Sequence, residues 1–291
     1  MSIRCLIRRL RPHKLSRSVG GNVTIGLFLL LAGAFTALPM VYAIISSFKP
    51  LSELFIYPPR FFVTNPTIDN YLEVFTSQMN MRVPMERYLF NSIFVSVVTT
   101  VVYILIASLA AYPLARNRFP GSQIIMRLVV FAILFRPEVI QIPQYLIFAK
   151  VGIVDTYFSL IVPALIGSFG VFLMKQFMEG IPNEMLESAR IDGAGEWRIF
   201  FSLIMPMVKP AWLTLTIFTF QSIWNTTGLQ YIFTENLKTL PTALSQMTSS
   251  GLSMAGVSSA VGVLLMLPPI LMFIFTQSNV IETMSHSGIK D

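Results

Sequence analysis

Residues 184–210 place Glu184, Glu187, Arg190, Asp192, Glu196, Arg198 and Lys209 between two apolar runs, 159–178 and 211–223, that are almost free of charge. A polar, charged hairpin thus sits between two apolar runs, and the rest of the chain is placed around it. Its grammar is helix, turn, helix. Pro182 and Asn183 suit a helix start, with Glu184 in the first turn, where a carboxylate meets the positive end of a helix. Met185, Leu186, Ala189 and Ile191 supply apolar positions in the first arm. Gly193 suits a chain reversal where a side chain would obstruct. The second arm carries Trp197, Phe200, Phe201, Leu203 and Ile204, and Pro206 and Pro210 reset the chain before the next apolar run.

Composition says what surrounds the hairpin. The chain of 291 residues is 54% hydrophobic and 12% charged, with a mean hydropathy of +0.67. Soluble domains carry about 25% charged residues, so this is an integral membrane protein. The net charge of +7 is read from its distribution, not as nucleic-acid binding. The single cysteine, Cys5, allows no internal disulfide, and His13 and His286 offer neither a metal cluster nor a histidine-centred active site. The chain has no GxxxxGK[ST] phosphate loop and no paired-carboxylate or Ser/His/Asp set, so no catalytic residue is assigned and no bound cofactor is expected.

The apolar runs predict an all-α protein with six spans. A basic segment, residues 1–22, precedes them; residues 3–15 either lie as a helix on anionic headgroups or form a basic tail. The membrane domain covers 23–281, with the hairpin at about 182–210, and a tail covers 282–291. The first span, 23–45, is too long for a signal peptide core and contains Pro39. The others are 89–113, 123–143, 159–178, 207–227 and 256–275, with an interfacial segment at 144–157. Gly167 and Gly170 are small-residue contact points in the fourth, and Pro268-Pro269 is placed to bend the sixth. Basic residues gather at the N-terminus, at Arg116 and Arg118, and in the hairpin, which puts both termini and the hairpin inside.

Glu187-Ser188-Ala189, then Asp192-Gly193-Ala194, then Pro206, resembles the EAA loop of ABC-importer permeases, and most closely the maltose-type sugar permeases. Ser188 stands where that family usually has Ala. The run AAYPLARNRFPG at 110–121, the pair Trp224-Asn225, Ser47-Phe48-Lys49 and Asn70-Tyr71 are similar to the same family, whereas Met284-Ser285-His286-Ser287-Gly288 departs from its tail. The resemblance implies the type I importer permease fold in a bacterial inner membrane. It implies a cytoplasmic loop, made by Glu184, Glu187, Ser188, Ala189, Asp192, Gly193, Ala194 and Pro206, docked on a separate ATPase dimer that holds ATP and magnesium. It also implies a homologous second permease and an extracellular or lipid-anchored sugar-binding protein. The cargo implied is a carbohydrate. For Asp192 two roles stay open: capping the following turn, or direct contact with the ATPase.

A path across the bilayer needs polar groups at depth. The candidates are Arg136, Glu138, Gln221, Asn225 and, as a stacking surface for a sugar ring, Trp224. Trp224 equally suits an interfacial aromatic belt, and Arg136 with Glu138 equally suits an internal ion pair. The sharper expectation is that Arg136 attracts an acidic, uronate-bearing oligosaccharide. The competing reading is an ion-coupled secondary transporter, which would show inverted repeats and broken helices; no clear internal repeat is present.

Overall fold

The computed structural model describes residues 19–76, 83–117, 119–135, 137–249, 251 and 254–287, and all regular structure among them is helical. The basic residues of 1–18, together with Arg118 and Arg136, lie outside this set.

The chain enters as α1 (Val19–Ser47), one helix that runs through Pro39. After a loop and the short α2 (Asp69–Thr76) comes the central rod, α3 (Met85–Arg116), which starts four residues earlier than the sequence suggested. Next are α4 (Ser122–Ile133) and α5 (Pro137–Val151). α6 (Tyr157–Leu165) and α7 (Ser168–Glu179) form a rod bent by 44°. The hairpin is α8 (Asn183–Ile191) and α9 (Glu196–Met207), and α9 meets α10 (Lys209–Trp224) at 75°. α11 (Leu240–Ser249) and the long α12 (Ala255–Ser287) complete the chain.

Among the described residues three helices, Gly20–Ser47, Met85–Arg116 and Ala255–Gln277, are long and apolar enough to cross a membrane; counting each bent pair as one span raises this to five. The expected third span at 123–143, with an interfacial segment at 144–157, is corrected: α4 stops at Ile133, and α5 runs from Pro137 through Pro143 to Val151. Pro137 has a fixed φ and no N–H, so it opens a new helix more readily than it continues one. α12 likewise continues through Pro268-Pro269 to Ser287.

α3 packs against α6, α7 and α10, and α12 packs against α1, α2, α10 and α11. The buried residues of α3 include Asn91, Val95, Thr99, Tyr103, Ala107 and Ala111, four residues apart along one face, flanked by the hydroxyls of Ser92, Ser96, Thr100 and Ser108. Lipid is as apolar as leucine, so close backbone approach, not hydrophobic burial, holds such rods together. Large apolar side chains point the other way, as with Phe28, Leu30 and Phe35 of α1. Two large buried clusters result, beside a small one of Val95, Leu160 and Ile232. Of the large pair, one, near the hairpin, joins Met174, Met178, Leu186, Phe200, Ile204 and Leu215; the other joins Met85, Tyr88, Trp224, Leu240 and Val261.

A break in a rod surrounded by lipid frees backbone groups that water cannot reach. Three such interruptions here meet a side chain. Between α6 and α7 the Tyr103 hydroxyl donates to the Gly167 carbonyl at 2.9 Å and accepts from the Gly170 amide at 2.8 Å. At the α9–α10 bend the Trp212 indole donates to the Met205 carbonyl at 3.1 Å. In α12 the Leu265 carbonyl, whose helical partner would be the missing N–H of Pro269, takes the Trp224 indole at 2.9 Å.

Candidate functional site

The hairpin begins where α7 ends. α8 closes with Asp192, Gly193 and Ala194: the Gly193 amide donates to the Arg190 carbonyl at 3.0 Å and the Ala194 amide to the Ala189 carbonyl at 2.9 Å. This pair of bonds is the Schellman stop, whose C′ residue sits in the left-handed region. Gly193 is that residue, with φ of 79°. A Cβ added there would meet no atom within 4 Å, so the expectation of steric obstruction is corrected: glycine is needed for its dihedral angle, not for space. The same motif gives Ala189 and Ala194 their role, since both pack against the buried cluster together with the fully buried Leu186.

Glu184, Glu187, Ser188, Asp192 and Pro206 are exposed. Among the described residues Asp192 caps nothing with its side chain; the N-cap of α9 is Gly195, which has no side-chain cap at all. The capping role is therefore corrected, and Asp192 keeps a free outward carboxylate beside the turn.

The residues that fasten the hairpin are ones the sequence reading did not place in the site. Arg116, the last residue of α3, donates to the carbonyls of Met178 and Ile181 and to Asn183 Oδ1, the last two at 2.8 Å each. One guanidinium thereby joins the end of α7 to the start of α8; its planar fork suits divergent acceptors as a lysine would not. Tyr112, one turn earlier, donates to Glu196 Oε2 at 2.7 Å, and Arg190 donates to Glu196 Oε1 at 3.0 Å. Glu196 thus ties both arms to each other and to α3. The signal available in sequence was the i, i+4 spacing of Tyr112 and Arg116, which puts both on one face of the helix end. Outside this framework Ile191 is 86% exposed and Trp197 69%, in the midst of the charged residues of the hairpin.

Of the path candidates, Gln221, Trp224 and Asn225 lie together at the end of α10. Gln221 and Asn225 are exposed at the far end of α10, where Asn225 Nδ2 donates to the Gln221 carbonyl at 2.8 Å. Gln221 also borders an apolar notch of about 240 Å³ between α10 and α12. Trp224 is corrected: it is 1% exposed, stacked on Phe220 and bonded to Leu265, and presents no face to a sugar ring or to a lipid interface. Glu138 lies in the first turn of α5, and Arg136 falls outside the described residues, between Phe135 and Pro137.

At the opposite end of the bundle the loop before α11 is bound to α3. Tyr88 donates to Glu235 at 2.6 Å, and Asn91 Nδ2 donates to the carbonyls of Asn236 at 2.9 Å and Lys238 at 2.8 Å. Asp155, with φ of 62°, accepts the amides of Phe233 at 2.9 Å and Thr234 at 2.8 Å and the Thr234 hydroxyl. Partial desolvation raises the Asp155 carboxyl, but the bonds from Thr234 and Phe233 outweigh it and hold it below the usual value. Glu235 behaves alike: desolvation raises it, and Lys238 and Tyr88 bring it lower. Among the described residues no group of three or more His, Cys, Asp or Glu side chains forms a metal cluster.

Residues 104–284, which include the whole hairpin, match the family described as the binding-protein-dependent transport system inner membrane component. The chain belongs to this family. Its relatives include Protein LplC of Bacillus subtilis (strain 168), 37% identical over 68% of this chain and 65% of that protein. They also include the polygalacturonan/rhamnogalacturonan transport system permease protein YtcP of the same organism, 34% identical over 70% of each. The fold is shared with a solved bacterial ABC transporter involved in the import of the acidic polysaccharide alginate: the TM-score is 0.77, with 21% identity, over 90% of this chain and 98% of that one. This permease is thus an inner membrane protein, and its hairpin lies within the part of the chain that defines the family.

Proposed function

We propose that the permease is half of the translocation unit of an ATP-driven importer for a carbohydrate oligomer, with ATP and magnesium bound by separate ATPase subunits. The observation that carries this is the hairpin: a rigid, charged elbow with exposed Ile191 and Trp197, fastened to the rods by Arg116 and Glu196. Such an elbow passes force from a docked partner into the bundle. The hairpin end faces the cytoplasm, as the concentration of basic residues there supports. Six spans then follow if α4 and α5 together make one crossing and each bent pair makes another. A homologous second permease would supply the other half of the path, and a sugar-binding protein would meet the loops at the opposite end.

Carbohydrate cargo is supported by the name of the relative that is 34% identical. The acidic class is supported by the polygalacturonan in that name and by Arg136, a basic residue inside the apolar run 123–143. The test is ATP hydrolysis by the reconstituted complex, with the binding protein loaded with acidic or neutral oligosaccharides. Stimulation by the acidic class, lost on Glu187→Lys and weakened on Arg136→Gln, is the expected result. Uptake by the isolated subunit driven by an ion gradient would sink the proposal in favour of a secondary carrier. Equal loss of acidic and neutral uptake in Arg136→Gln would remove the acidic class.

A further inference from the structure

The hairpin hangs from a rod that is broken. α6 and α7 meet at Ile166 and Gly167 with a bend of 44°, so a push arriving through α8 would be absorbed as bending unless something stiffened the joint. The ladder of i to i−4 bonds, which stiffens an ordinary helix, is interrupted there, and the Gly170 amide is one of the first-turn donors without a partner inside α7.

α3 touches this rod at three levels. Beyond the bend, the Tyr157 hydroxyl donates to Asn91 Oδ1 at 2.7 Å. At the bend, the Tyr103 hydroxyl joins the Gly167 carbonyl and the Gly170 amide. Near the hairpin, Arg116 holds the Met178 and Ile181 carbonyls. From Asn91 to Arg116 an unbroken helix covers roughly 38 Å at 1.5 Å per residue. Both glycines are needed for the middle contact: a Cβ would stand 2.6 Å from the Tyr103 oxygen at Gly167 and 2.5 Å from it at Gly170. The sequence pattern that marked these glycines as contact points therefore has a specific partner, a phenol that fills the notch and is 5% exposed.

We infer that α3 is a splint for the broken rod and that Tyr103 is the positioning residue that pins the joint, so that α6, α7 and the hairpin move as one rigid, bent lever. A single oxygen, donor to the N-cap carbonyl of α7 at Gly167 and acceptor from the Gly170 amide in its first turn, fixes the start of α7 on α3 right at the joint, while Asn91 holds the start of α6 on the same helix. The inference rests on the reading of the hairpin as the point where force enters, and it adds where that force is prevented from dissipating.

The test uses the assembled transporter with its ATPase and binding protein. In a Cys5→Ser background, spin labels at Phe158→Cys and Phe177→Cys, both exposed, report the distance between the two halves of the rod. With Tyr103 present, the distance distribution should be narrow and unchanged between nucleotide-free and ATP-bound states. Tyr103→Phe, which keeps the ring and removes the oxygen, should broaden it and lower the sugar moved per ATP hydrolysed roughly 3-fold or more. Gly170→Ala, which displaces the ring and keeps the hydroxyl, should do the same. A distance that shifts with nucleotide in the unaltered protein means a hinge and overturns the inference. So does a narrow distribution in both variants, or an unchanged sugar-to-ATP ratio beside a broadened one. Failure of the proposed function is seen separately: the unaltered complex would then show no sugar-dependent hydrolysis, whatever the distances.

Discussion

The indole N–H of Trp224 donates at 2.9 Å to the carbonyl of Leu265, which lies one turn before Pro269 and so lacks its usual helical donor. The bond explains why a tryptophan with a buried ring stands at the end of α10 and how α12 accommodates Pro269. Removing the donor alone strands a buried carbonyl, at a cost of about 1–3 kcal/mol. Trp224→Phe should therefore lower the thermal stability of the purified complex. In a Pro269→Ala background, where an alanine N–H can serve Leu265, it should cost less, by about 1 kcal/mol of coupling. Strict additivity in a double-mutant cycle would refute the pairing.

Gly193 sets a second test. The space around it is open, so the cost of a side chain is that of the left-handed dihedral angle alone, about 1–2 kcal/mol for most residues. Asparagine, which tolerates that region, should be accepted best, alanine less, and a β-branched valine least. Sugar-stimulated hydrolysis measured across this series should follow that order. If it followed side-chain volume instead, with alanine better than asparagine, the steric reading would return.

Arg116 is held by geometry as much as by charge. Its fork reaches two carbonyls and the Asn183 side chain, and bonds from a charged donor contribute roughly 1.5–3 kcal/mol each. Arg116→Lys keeps the charge but cannot span all three acceptors. Melting temperatures should fall from the unaltered protein to Arg116→Lys and further to Arg116→Ala. A lysine variant equal to the unaltered protein would show that only the charge matters.

The loop that precedes α11 should loosen in acid. Asp155 and Glu235 both titrate below their ordinary values in the folded protein. A lowered carboxyl contributes stability above its unfolded value, and that contribution is lost as pH falls through the folded one, here below about pH 4. Protease cleavage of the 226–239 loop should thus stay slow from neutral pH to about 5 and speed up below about 4. Asp155→Asn should be cleaved faster at neutral pH and show a shallower acid response. Cleavage that slowed with acid would contradict the sign.

Much of the hairpin was legible because its cause is local. Charges between apolar runs, Pro182 before α8 and Gly193 after it are statements about neighbouring residues, and the structure has a helix, a turn and a second helix there. The spans 23–45 and 89–113 were legible for the same reason: a long apolar run is sufficient. The division of 123–143 was not legible, because whether a chain breaks at Pro137 or bends at Pro143 depends on what packs beside it. Nor was the direction in which Trp224 points, since one position of a nearly uniform apolar helix gives no face a preference.

What the sequence determined, then, was which segments prefer lipid and which prefer water, together with the stop signal at Asp192-Gly193-Ala194, because transfer free energy and backbone dihedral angles belong to individual residues. Tertiary structure alone decided how the interrupted rods are closed. Tyr103, Arg116 and Trp224 are separated from the carbonyls they serve by 64, 62 and 41 positions. The carbonyls served by Tyr103 and Trp224 lie within apolar rods where water does not reach, that of Met178 lies at the hairpin, and in each case the partner is chosen by packing in three dimensions, which no local pattern records.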